Sequence, residues 1–237
     1  MDREREVYAK LDQVYDPELD QPLTELGFIE SARVRGNDVE VVFRLPTYWC
    51  SPNFAFIMAE DIQRSVSELD WAEKVEVNLI DHCASGEINR GVTRGKRFSE
   101  STSEFGASDG ELDELRKKFV VKSFLARGER LMKHLLREHG DPYERFACMT
   151  FDELEARDLS GEGDALRRRY AEKRAQLGID GALAFTTPEG EPLQPDEVKD
   201  FLLNAKRTRL SMEFNAHYCR GLLEARYNLA PADAAST

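Results

Sequence analysis

The sequence predicts an α+β chain: a small three-stranded sheet with helices in the order α-β-β-α-β, followed by a mainly α-helical second part. Three observations carry that expectation. Apolar and polar residues alternate along residues 28–46 and again along 74–80, the two-residue period of half-buried strands. Between those runs, and again beyond residue 110, apolar residues recur at the three-to-four spacing of a helix. The segment 99–110, SESTSEFGASDG, has little to bury and divides the two patterns.

The elements follow in order. Val7, Tyr8, Leu11 and Val14 recur at helical spacing and are stopped by DPELDQP, whose prolines and turn-forming acids cannot prolong a helix. In the run FIESARVRGNDVEVVFRLP, Gly36-Asn37 suits a tight hairpin connection, and Val39, Val41, Phe43 and Leu45 mark the buried face of the second strand. Ser51 is a suitable N-cap and Pro52 a suitable first helical residue, because a proline there gives up no intrahelical bond. Phe54, Met58, Ile62, Val66 and Leu69 supply that helix's buried stripe, which Asp70 closes. KVEVNLI then gives a third strand through Val75, Val77 and Leu79.

The domain division that results is 1–98, a linker at 99–110, and a helical domain over 111–237 expected to bind a client or partner. In the second part, Leu112, Leu115, Phe119, Phe124, Met132 and Leu135 predict a long helix ended by HGDP. Thr150 with Glu153 forms a capping box ahead of a charged helix to about residue 176, and Pro195 opens a last helix to about Tyr227. The tail APADAAST is expected to fray.

A net charge of -12 over 237 residues sets a repulsive field against a phosphate backbone, so nucleic acid is not an expected partner. Arg90, Arg94, Lys96 and Arg97 form a short basic island, read as a solvated loop. No apolar run reaches membrane-spanning length, and MDREREVY is charged from its second residue, so neither a membrane segment nor a signal peptide is expected and the location is cytoplasmic. Cys50, Cys83, Cys148 and Cys219 are widely spaced, with no Cys-x-x-Cys pair. Metal chemistry would need a single cysteine with partners brought in by folding, or by a second copy in a homodimer.

A strand-helix-strand connection within one sheet leaves its strands parallel, so their C-terminal ends share a rim. Cys50 ends the second strand, and His82 and Cys83 end the third; these three are the candidate metal ligands. If the third strand persisted through Cys83, only one of His82 and Cys83 could look toward Cys50; in a loop both could. The helix start that follows Cys50 favours a thiolate, the form that attacks or binds metal. The competing reading is a small residue filling a corner beside Tyr48 and Trp49.

DPELDQPLTELGFIESARVRGNDVEVVFRLPTYWCSP, with its following apolar helix and KVEVNLI, resembles the domain shared by SufT and PaaD, metal-sulfur cluster assembly factors, over about residues 5–85. The matching motifs are Asp16, Pro17 and Glu18 after the first helix, Leu26 and Gly27 before the first strand, and Thr47 with Cys50 after the second. The sequence departs from the family pattern in two places. Ser51 separates Cys50 from Pro52, and His82 and Cys83 replace a proline and tryptophan. The resemblance implies a non-enzymatic accessory role in iron-sulfur cluster assembly or metalloprotein maturation. It further implies transient iron or an iron-sulfur cluster as cargo, and a client metalloprotein or the assembly machinery as partner. PaaD-like members are associated with a multicomponent di-iron oxygenase, which makes such a client conceivable here. Asp16, Glu18 and Thr47 become candidates for orienting the cysteine loop or binding a partner, against simple turn chemistry at Asp-Pro-Glu.

Other constellations fail. No histidine has a glutamate three residues before it, as a di-iron bundle requires, and no phosphate-binding glycine motif occurs. His217 and Cys219 fall on nearly opposite sides of a helix. Cys219 and Cys148 read as packing, and His134 with Glu138 as a surface pair. Two rival functions stay open: a thiol enzyme with Cys50 as nucleophile and His82 as base, and a pure adaptor in which no cysteine acts.

Overall fold

A computed structural model describes residues 3–101 and 109–229. Most of the expected linker, and the tail from residue 230, lie outside the described residues. The chain divides into two compact units, one running to Leu115 and resuming at Phe214, the other Arg116–Glu213.

The first unit is the α+β part. Helix α1 (Arg3–Leu11) precedes strands β1 (Ile29–Arg35) and β2 (Asp38–Arg44), which pair antiparallel around Gly36, where a φ of +64° makes glycine the natural residue. Helix α2 (Pro52–Ser67) crosses to β3 (Lys74–Ile80), which lies parallel to β2 in the register Val39↔Val75, Val41↔Val77, Phe43↔Leu79. The strand order is β1-β2-β3. Alternation puts Val39, Val41, Phe43, Val75, Val77 and Leu79 in the core, facing Phe56, Ile57, Met58, Ile62 and Val66 of α2. Pro52 opens α2 as expected, but the Ser51 hydroxyl makes no cap, and α2 stops at Ser67, before Asp70.

A helix absent from the sequence reading, α3 (Ser85–Thr93), follows β3. Ile88 and Val92 anchor it, so Arg90 of the basic island stands exposed on a helix, with Arg94, Lys96 and Arg97 exposed just beyond it. Asn89 donates its side-chain amide to the Leu79 carbonyl (3.0 Å) and accepts from the Leu79 N–H (2.8 Å), pairing with β3 as a strand residue would. A short helix α4 (Phe98–Ser101) occupies the start of the expected linker, and α5 (Asp109–His134) begins before its end. The final turns of α8 (Val198–Tyr227) belong to this unit: Ala216 and Leu223 enter its core, and Leu223 approaches Gly27 so closely that a Cβ there would sit 3.4 Å from Cδ2.

In the second unit, α5 passes at His134 into a π turn, Leu135–His139, ended by Gly140 with φ +66°. A 3-10 turn (Tyr143–Ala147) leads to α6 (Phe151–Glu155), whose Thr150–Glu153 capping box forms with both bonds in place. The expected helix to residue 176 is broken. It stops at Glu155 and resumes as α7 (Ser160–Gln176), whose first residues Ser160 and Gly161 adopt positive φ and kink its entry. Arg167 donates to the carbonyls of Leu154, Glu155 and Arg157, satisfying the acceptors that the early stop leaves open. The last helix begins at Val198, three residues after Pro195. Phe124, Met132, Phe146, Tyr170 and Phe185 fill this unit's core. Cys148, read from sequence as packing, is exposed, and His134, read as a surface residue, is buried.

Candidate functional site: a cysteine loop on the parallel-strand rim

The parallel pairing of β2 and β3 brings their C-terminal ends to one rim, where two loops emerge. The loop after β2 runs through Leu45 and Pro46, both buried, to Thr47, Tyr48, Trp49 and Cys50. Thr47 Oγ1 lies 3.3 Å from Cys50 Sγ, so hydroxyl and thiol are hydrogen-bonded and the half-buried sulfur has a fixed neighbour. Tyr48 and Trp49 pack edge to face at 4.9 Å and project outward, with Trp49 77% exposed.

The second loop starts with Asp81 at φ +52°, which ends β3 and frees the next residues from strand alternation. His82 turns inward. Its Nε2 donates to the Cys50 carbonyl at 2.7 Å, and its Nδ1 accepts from the Ala84 N–H at 3.1 Å. That pattern fixes the neutral imidazole with its proton on Nε2. Burial holds its pKa below the ordinary histidine value, outweighing the bond to Cys50, with Arg226 adding to the depression. Cys83 donates its backbone N–H to the Tyr48 carbonyl at 3.0 Å, and its side chain packs partly buried against the core. His82 and Cys83 therefore meet the Cys50 loop through its backbone, not through the Cys50 sulfur.

α8 clamps the same rim. Arg226 donates to the carbonyls of Leu45 (3.1 Å) and Asp81 (2.7 Å), one at the root of each loop, and the Tyr227 hydroxyl donates to Asp81 Oδ2 at 3.1 Å.

Asp16 is buried, and its Oδ1 accepts from the N–H groups of Glu18 (2.9 Å) and Leu19 (2.8 Å), so it does perform the turn chemistry of an Asp-Pro-Glu bend. Turn chemistry is not all. Burial pushes its pKa up to about 6, despite those two bonds and with a small further rise from Glu18. Cys219 on α8 joins these groups: burial pushes its thiol up to about 11, and the next contributions are the charges of Asp16, Cys50 and Glu18. The Asp-Pro-Glu turn, the Cys50 thiol and Cys219 thus share one electrostatic neighbourhood. Sequence reasoning takes Cys219 for packing, and it does pack against this unit's core; its nearness to Asp16 and Cys50 is what sequence does not show. It stands 169 residues beyond Cys50, and no spacing signal links them.

Among the described residues, no three His, Cys, Asp or Glu side chains converge closely enough to hold a metal ion.

The fold and this loop define a small α+β domain that presents a half-buried cysteine thiol at the end of a parallel strand pair. Residues 4–79 match the model of the iron-sulfur cluster assembly protein family, about a third of the chain. The matched region is similar to the SufT/PaaD-type domain and contains Asp16, Glu18, Thr47 and Cys50. No curated protein and no solved structure matches the chain. Among the described residues, no helix is long and apolar enough to cross a membrane.

Proposed function

We propose that this protein is a non-enzymatic maturation factor in which Cys50 contacts iron or an iron-sulfur cluster on its way to a client metalloprotein. The family match supports a role in cluster assembly. The observation that carries the finer reading is the Thr47–Cys50 contact on a loop anchored from behind by His82 and Arg226. The hydroxyl can donate to the thiolate form, stabilising the sulfur that binds soft metal, while the backbone anchors fix where that sulfur points. His82 and Cys83 serve as supports of the loop in its resting state. His82 joins Cys50 as a ligand only after giving up its bond to the Cys50 carbonyl. Tyr48 and Trp49 give a client an aromatic surface beside the transfer point. A multicomponent oxygenase is one such client.

The thiol-enzyme reading finds no support in the geometry. A base for Cys50 needs a ring nitrogen aimed at sulfur, whereas both His82 nitrogens are engaged with backbone groups.

The test is iron, zinc and acid-labile sulfide per chain on anaerobically purified protein, together with client activation, for wild type and Cys50→Ser. Loss of client activation in Cys50→Ser, with unchanged circular dichroism, is the expected result. Undiminished activation would overturn the role of the sulfur and leave an adaptor. Trp49→Ala is expected to weaken client association while leaving Cys50 alkylation intact.

A further inference from the structure

The second unit holds a buried imidazole that nothing in the cluster-assembly reading uses. His134 is 8% exposed, and among the described residues neither its Nδ1 nor its Nε2 has a hydrogen-bond partner. Buried polar atoms are nearly always paired, so two orphans on one ring call for an occupant or an ion. The position is also built to receive the ring. A Cβ on Gly163 would fall 2.5 Å from Nε2 and 3.1 Å from Cδ2, so only glycine at 163 admits this placement.

His134 is the last residue of α5 before the π turn Leu135–His139. In an α-helix, Glu138 would share its face; in a π turn, with its i→i+5 bonds, residue 139 moves beneath residue 134. The His134 and His139 rings lie 6.0 Å apart between centroids, with planes at 54°. An ion bound by two imidazoles at about 2.0–2.1 Å per bond holds the ring centroids no more than roughly 6 Å apart, so the observed spacing is near the upper limit of a shared ion. His139 is exposed and free to close the remaining gap. Glu138, held by Arg137 at 2.5 Å, stands within electrostatic reach of both rings.

We propose that His134 and His139 bind a divalent transition-metal ion of the nickel, copper and zinc group, with water completing the shell. Neutral imidazole suits these ions. With only two protein ligands the ion exchanges through the exposed His139 side, and the π turn is the device that brings the pair together. The site lies outside residues 4–79 and does not depend on the role of Cys50.

The test uses the full chain carrying Cys50→Ser, so that the rim sulfur does not contribute. Zinc is titrated while the imidazole nitrogens are followed by long-range proton–nitrogen NMR, and affinity is measured by calorimetry. One equivalent of zinc is expected to move the ring-nitrogen resonances of His134 and His139 together, leaving those of His82 in place. His139→Ala changes an exposed residue and spares the fold; it is expected to weaken binding by about tenfold or more. Unchanged affinity in His139→Ala would overturn the proposal. So would His134 resonances that stay fixed at millimolar zinc, which would assign the orphan nitrogens to a buried water only.

Discussion

The two units hold together by different means. In the first, a continuous apolar core runs from Val7 and Leu11 through the sheet to Leu223, and polar bonds cluster at the rim. In the second, arginines do much of the fastening. Buried Arg174 donates to the carbonyls of Leu183, Ala184 and Gly181; Arg167 holds three more; Arg209 bonds buried Glu129 (2.7 Å) and Glu213 (2.6 Å). The contrast shows where each unit stores its specificity. Apolar alternation alone sets the register of the sheet, whereas loops that expose many carbonyls need planar, multi-donor side chains to define their path.

The comparison can be broken by substitution. Phe43→Ala, at the centre of β2, is expected to cost the first unit about 3–5 kcal/mol, read from the denaturant midpoint. An equal loss from Arg226→Met would show that the rim bonds, not the core, dominate. Asp16→Asn should act in the opposite direction. With its folded pKa near 6 and an unfolded value of about 4, Asp16 favours the folded state fully below about pH 4, and that contribution is lost as pH rises through 6. At pH 7 the asparagine variant is therefore more stable than wild type by up to about 3 kcal/mol, and the decline between pH 4 and 6 flattens in its denaturation curves. His82 has the reverse sign: its contribution is complete above its unfolded pKa of about 6.5 and is lost as pH falls toward its depressed folded value.

Arg174→Met sharpens the contrast from the other side. It leaves the Gly181 and Leu183 carbonyls without this donor, while Ala184 keeps the Tyr170 hydroxyl, and is expected to cost about 2 kcal/mol, more than an apolar trim of similar size nearby. Thr150→Ala, which removes one half of the capping box, is expected to cost about 1 kcal/mol in the same denaturation experiment.

The legible parts of this chain were those governed by period and local chemistry. Val39, Val41 and Phe43 announced their strand, the crossover through α2 implied the parallel pairing with β3, and Pro52 announced its helix. The position of Cys50 on the rim followed from that topology. What escaped depended on backbone turns with no side-chain signature. Asp81 at positive φ sends His82 to the Cys50 carbonyl, and Ser160 and Gly161 break a run of good helix formers. His134 is interior because Gly163, with no side chain, lets the start of α7 pack against its ring. Cys219 escaped because its neighbours are set by α8 returning to a sheet formed nearly two hundred residues earlier.

Asn89 bears on how this protein behaves at high concentration. β3 is an edge strand, and an edge strand offers its backbone to any extended segment that drifts past, including the same strand of another copy. By engaging both the N–H and the carbonyl of Leu79, the Asn89 amide occupies one such docking position with a single residue of the chain itself. Sheet-to-sheet polymerisation along that edge meets a terminator already in place.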